Sequence, residues 1–248
     1  MKKIEILAPA GNLDSLLAGI HSGADAVYFG YGELNARRNA KNFDEQSLAE
    51  ASRLCKERGV KMHMTVNTMV YDREYDEVLR TLEIACKYGI DALIVQDLGV
   101  AKIVREAAPE MKMHASTQLT VHNVSGAWQV KELGFSRVVL AREMSREEIL
   151  QVTTQVPVET EVFVHGALCM CVSGQCYMSS VIGERSGNRG LCAQPCRLPY
   201  QTALCCGENG RRSEKRKAQE LCPLSLKDIS TIEILPQILE AGVTSLKI

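Results

Sequence analysis

The chain has 248 residues, 46% hydrophobic and 24% charged, the profile of a soluble globular protein with room for one large core or two modest ones. A net charge of −1 gives no bulk attraction to nucleic acid or membrane, so any RNA contact has to come from a local patch. Aromatics at 5% argue against an aromatic base-stacking platform, and no apolar run approaches the roughly 18 residues of a membrane helix.

Short β-like runs alternate with helical patterns along the chain. Strands are predicted at residues 4–8, 26–30, 61–67, 92–97, 112–116, 137–142, 161–166 and 245–248. Helices are predicted at 13–22, 44–58, 75–88, 99–108, 124–132, 145–155 and 226–241, and Gly23, Gly59, Gly89, Gly134 and Gly242 stand at the ends of five of them. Such alternation predicts an α/β fold with a parallel sheet. Eight strands in about 250 residues fit a (β/α)8 TIM-like barrel. A doubly wound open sheet lacks its fingerprint: the first turn reads A-P-A-G-N, not G-x-G-x-x-G.

Residues 167–222 intervene between the seventh strand and its helix, and an insertion there emerges at the C-terminal mouth of the barrel. The chain stops inside the eighth strand with no helix to cover it. The expectation is a single barrel-like catalytic domain over 1–248, an N-terminal fragment whose further C-terminal part is missing. The start, MKKIEILAPAG, is short and interrupted by Glu5, a poor signal peptide, so a cytoplasmic location is expected.

Ten cysteines in a cytosolic protein do not read as disulfides. Cys55 and Cys86 lie in amphipathic helical patterns and read as core residues. The other eight (Cys169, Cys171, Cys176, Cys192, Cys196, Cys205, Cys206 and Cys222) fall within 54 residues. The spacing C-x6-C-x15-C-x3-C, from Cys169, Cys176, Cys192 and Cys196, suits a metal. Zinc sites usually show two tight Cys pairs, whereas here only Cys192 and Cys196 are close, which favours an iron–sulfur cluster and leaves zinc as the alternative.

These residues resemble the signature of the U32 peptidase family, the collagenase-like peptidases. The resemblance runs through E-V-F-V-H-G-A-L-C, S-G-Q-C-Y-M-S-S and R-S-G-N-R-G-L-C-A-Q-P-C-R at 161–197. It extends to L-A-P-A-G-N-L, G-A-D-A-V-Y-F-G and N-A-R in the first 37 residues, and to P-L-S-L-K-D-I at 223–229. Several members are implicated in oxygen-independent hydroxylation of tRNA, 23S ribosomal RNA or the ubiquinone ring, carry a 4Fe-4S cluster and, for RNA, depend on prephenate. The P-C-R ending is similar to the RNA-modifying members. The resemblance implies a cluster on Cys169, Cys176, Cys192 and Cys196, with Cys222 in reserve, and leaves Cys171, Cys205 and Cys206 without a role.

Strand alternation nominates a pocket. It turns Glu161 and His165 inward, with His63, Thr65, Asn67, Gln96, His114, Ser116, Gln118, Arg142 and Lys247 from the other strands. Any one of these reads as a satisfied barrel side chain, but together near the strand ends they point to a ligand cavity. Asn12, Asn67, Gln118, Arg142 and His165 are the leading candidates, with His165, Arg142 and Asn67 in catalytic roles. Arg185, Arg189 and Arg197 are candidates for binding carboxylates or phosphates, whereas the basic run at 211–217 reads as a solvated loop.

The expected function is iron–sulfur-dependent hydroxylation of an RNA base, with tRNA or rRNA and a small carboxylate such as prephenate as partners, no membrane, and a homo- or hetero-oligomer as an open option. Two alternatives stand beside it: a peptide hydrolase, and a cluster-binding subunit acting with a second chain. Neither a G-x-S-x-G elbow nor an H-E-x-x-H motif is present, and coordination would occupy the thiols a peptidase needs as nucleophile.

Overall fold

A computed structural model describes residues 3–38, 41–200 and 222–248. Eight parallel strands close into a barrel: β1 (Glu5–Pro9), β2 (Ala26–Gly30), β3 (Lys61–Val66), β4 (Ala92–Val95), β5 (Lys112–Ala115), β6 (Arg137–Val139), β7 (Glu159–Phe163) and, last in the chain, β10 (Ser245–Lys247). Each strand pairs with the next in sequence, and β10 closes the ring between β7 and β1. The predicted (β/α)8 architecture is thus present.

Helices α1 (Leu13–His21), α2 (Glu45–Arg58), α3 (Tyr75–Tyr88), α4 (Leu98–Ala107), α5 (Val124–Glu132) and α6 (Arg146–Gln155) cover the outside. Their apolar faces and the outward strand residues form one core that includes Leu16, Leu48, Met62, Met64, Leu93 and Met113. Local chemistry fixes where the helices begin: Asp44 and Ser145 accept from backbone N–H groups of their own first turns, and Asp97 does so for Gly99 and Val100. Cys55 is fully buried as expected, but Cys86 is exposed on the solvent side of α3.

The strands predicted at 92–97 and 137–142 are shorter, at Ala92–Val95 and Arg137–Val139, and two further elements change course. The seventh strand does not run to residue 166. After Val164, whose N–H still donates to Lys247, the chain turns away, and β8 (His165–Gly166) pairs antiparallel with β9 (Ile229–Ser230). The helix expected over 226–241 shrinks to α8 (Leu235–Glu240), after β9 and a 3₁₀ turn at Ile232–Ile234. Pro236 explains the start, because a residue without an N–H is tolerated only in a first helical turn. A short helix within the insertion, α7 (Met178–Gly183), was not anticipated.

The barrel interior is polar at its base. Arg137 bridges Glu5, Glu159 and Glu161; Lys61 joins Glu5, and Lys247 joins Glu161 at 3.0 Å. Burial pushes the Glu5 carboxyl up, but the hydrogen bond and charge of Arg137 outweigh it and bring the pKa down to about 2. Above this ladder lie His63 and His114, their rings edge to face at 4.7 Å, with both Nδ1 atoms unpartnered. Burial lowers the His63 pKa to about 4 and that of His114 well below its usual value.

Candidate functional site

The described part of the insertion is clamped over the mouth at several points. Ser173 is fully buried; its N–H and hydroxyl donate to Glu143, and its carbonyl accepts from Thr120. Gly174 follows with φ +76°, so close to Gln118 that a Cβ would collide with the Gln118 carbonyl. Asn188 donates to the Gly174 carbonyl and accepts from Met69 N–H. At Gly190 (φ +74°) a Cβ would collide with the Asn35 carbonyl. Only glycine fits either place.

Beneath the clamp, at the C-terminal strand ends, lies a cavity of about 360 Å³. Its cations are Arg37, Lys41, Arg142 and Lys247, with no carboxylate among the described lining residues. Lys247 Nζ lies 4.1 Å from the centre of the Tyr28 ring and 5.5 Å from that of Phe163, held from below by Glu161. Arg37 donates to the Tyr28 hydroxyl at 3.3 Å. Arg142 packs 5.4 Å from the Phe163 ring, donates to Ala167 O, and reaches Cys169 Sγ at 3.5 Å. Asn67, Thr65, Ser116, Gln118 and Gln194 supply neutral polar groups. A concave site with converging cations and two aromatic rings suits a small anion.

The sequence candidates divide accordingly. Arg142, Asn67, Gln118 and Lys247 line the cavity. His165 does not: it is exposed, in the β8–β9 pair opposite Ser230, because the strand leaves the barrel before the inward alternation reaches it. Asn12 caps α1, its side chain accepting from Ser15 N–H at 2.8 Å. The three arginines of the insertion have structural partners. Arg185 donates to Leu191 O, Arg189 forks onto Glu74, and Arg197 ties Leu168, Ser225 and Leu226 together. The Arg189 hydrogen bond holds the Glu74 carboxyl at about 2. The basic run at 211–217, Cys205 and Cys206 lie outside the described residues.

Arg37, Lys41, Tyr28, Phe163 and Gln194 were missed as site residues. Tyr28 and Arg37 sit inside the stretches G-A-D-A-V-Y-F-G and N-A-R, the one sequence signal that marked them. Gln194 has a left-handed backbone (φ 54°) and donates its N–H to Cys192 Sγ at 3.4 Å.

As cluster ligands the cysteines differ in donor type and in placement. All eight described cysteines are free thiols. Cys192 Sγ accepts from Gln194 N–H and from the Ser179 hydroxyl, and Cys169 Sγ accepts from the Arg142 guanidinium. Cys171 behaves otherwise: it donates to Gln175 O, and burial together with the neighbouring Cys176 pushes its thiol up. Placement is less favourable, since no three His, Cys, Asp or Glu side chains among the described residues converge on one point. The donors fit a soft metal in kind; they are not assembled around a common centre.

Residues 11–248 match the family described as Peptidase family U32. The chain belongs to that family. The U32 chain is 37% identical over 249 residues to tRNA hydroxylation protein P1 of Bacillus subtilis, covering all of this chain and 58% of that protein. It is 37% identical to the 23S rRNA 5-hydroxycytidine C2501 synthase of Escherichia coli, covering 99% of this chain and 36% of that protein. A collagenase of Porphyromonas gingivalis is 36% identical, covering 98% of this chain and 60% of its own length. The U32 chain thus spans about a third to three fifths of these curated relatives. Among solved structures, the U32 peptidase Mk0906 superposes with a TM-score of 0.58 at 15% identity, over 67% of this chain and 71% of that one, a likeness of fold. Among the described residues no helix is long and apolar enough to cross a membrane.

Proposed function

We propose that this U32 barrel is the catalytic domain of an enzyme that hydroxylates an RNA base without molecular oxygen, using a small carboxylate such as prephenate held in the cationic cavity. The observation that carries the reading is that cavity: four cations, no carboxylate among its described lining residues, and Arg142 touching both the cavity and Cys169. Relatives named for tRNA hydroxylation and for 5-hydroxycytidine synthesis support the RNA substrate.

In this reading Arg142 and Arg37 fork onto carboxylate oxygens, and Lys247 supplies a point charge between Tyr28 and Phe163. Gln118 and Asn67 orient the neutral part of the ligand. A 4Fe-4S cluster on Cys169, Cys176, Cys192 and Cys196, with Cys222 in reserve, belongs to the same proposal and would supply one-electron chemistry. Its support is the donor set, and binding it requires the four thiols to be drawn together.

The peptidase alternative has a relative named collagenase behind it. It lacks a nucleophile and base: among the described residues no serine, threonine or cysteine side chain is hydrogen-bonded to a histidine ring, and His165 lies outside the cavity. The deciding experiment is nucleoside mass spectrometry of tRNA and rRNA from a strain lacking the full-length gene. A hydroxylated nucleoside should vanish, return with the full-length gene, and stay absent with Cys192→Ala. An unchanged RNA profile, with peptide cleavage that survives Cys192→Ala, overturns the proposal.

A further inference from the structure

A second cavity, about 660 Å³, adjoins the first between the loop after β3, the ends of β4 and β5, and the insertion. Its chemistry is different. The two charged residues of its floor and wall are already committed: the Asp97 carboxylate caps α4 and accepts from Val70 N–H, and Arg189 forks onto Glu74. What remains is neutral and flat. Tyr177 is 62% exposed, and Tyr71 is held against the Arg189 guanidinium at 4.6 Å.

Two carboxamides are left without work. Gln96 is only 5% exposed, and its Oε1 accepts no hydrogen bond. Gln118 is tied through its backbone to Ser116 and Thr120, and its carboxamide has no partner among the described residues. A buried amide that the fold leaves unsatisfied is costly and so points to a ligand. A carboxamide offers a donor and an acceptor side by side, the pattern that pairs with the edge of a nucleobase, while a tyrosine ring covers its face.

We infer that this second cavity receives one nucleobase turned out of its RNA strand. Gln96 and Gln118 read its polar edge, and Tyr177 stacks on its face. Gln118 lines both cavities, so the base lies next to the anion held by Arg142. This inference rests on the RNA reading above and adds to it the site where the base binds.

The test uses the full-length protein and two pools of transcribed tRNA and 23S rRNA fragments, one carrying 4-thiouridine and the other 5-iodocytidine. After irradiation and digestion, mass spectrometry should find crosslinks on the peptides holding Tyr71 or Tyr177. Gln118→Leu should cut that crosslink about five-fold or more, and Gln96→Leu likewise, while overall RNA affinity stays within about two-fold because backbone contacts carry most of it. Gln118→Asn should retain part of the crosslink. Thermal melts check that each variant folds, and Gln118 alone suffices if Gln96→Leu does not. Crosslinks confined to other peptides, with RNA hydroxylation intact, overturn the nucleobase site and leave the hydroxylase standing. Absence of both RNA binding and hydroxylation overturns both.

Discussion

Arg142 reaches Cys169 Sγ at 3.5 Å while lining the cationic cavity. One guanidinium therefore joins the barrel's candidate ligand site to the first cysteine of the insertion. Arg142→Lys keeps the charge but loses the fork that spans both. Isothermal titration with prephenate should show binding roughly 10- to 100-fold weaker, the size of one or two charge-assisted hydrogen bonds. Affinity equal to that of the wild type would remove Arg142 from the site.

Protein prepared without air is expected to be brown, with about four irons and four sulfides per chain. Single replacement of Cys169, Cys176, Cys192 or Cys196 by Ala should abolish the colour, and Cys171→Ala, which removes a thiol that donates to Gln175 O, should not. Stoichiometric zinc in a colourless protein under strict anaerobiosis would overturn the cluster.

Gly174→Ala should loosen the clamp, because the added Cβ meets the Gln118 carbonyl in a backbone conformation (φ +76°) that alanine disfavours. A loss of about 1–3 kcal/mol is expected. Hydrogen exchange should rise across residues 170–192 and stay unchanged at the base of the barrel.

Arg137→Met removes the cation between Glu5 and Glu161 in the barrel interior and leaves only Lys61 and Lys247 to balance them. Breaking one side of a buried ion network usually costs about 3–5 kcal/mol. Urea unfolding should show that loss at pH 7. Adding Glu5→Gln, which removes one of the two facing carboxylates while Glu161 keeps Lys247, should recover part of it.

Stability should fall as the pH drops from 6.5 towards 4. Across that window the unfolded chain protonates its histidines, whereas burial keeps His63 neutral until about 4 and His114 lower still. The His63 share amounts to about 3 kcal/mol. Below 4.5 the effect continues, since Glu5 stays ionised down to about 2 while its unfolded counterpart takes up a proton. His63→Leu should flatten the stability–pH curve between 6.5 and 4, measured by urea unfolding at several pH values. An unchanged slope would show that His63 takes up its proton with little penalty.

Periodicity and spacing in the sequence determined the barrel, its strand and helix order and the place of the insertion, because burial on a parallel sheet imposes patterns that need no distant partner. They also placed Asn67, Gln118, Arg142 and Lys247 at the mouth, since alternation along a strand fixes which side chains face inward as long as the strand continues. That condition failed at His165. Val164 and Thr231 are 67 residues apart, and the hydrogen bonds between them divert the chain into the β8–β9 pair. The arginines of the insertion show the same limit. A guanidinium in a loop can serve a ligand or its own fold, and only the positions of Glu74, Leu168, Ser225 and Leu226 assigned Arg189 and Arg197 to the fold. Sequence fixes what is local or periodic; which polar groups remain free for a ligand is decided when distant segments meet and use up the rest.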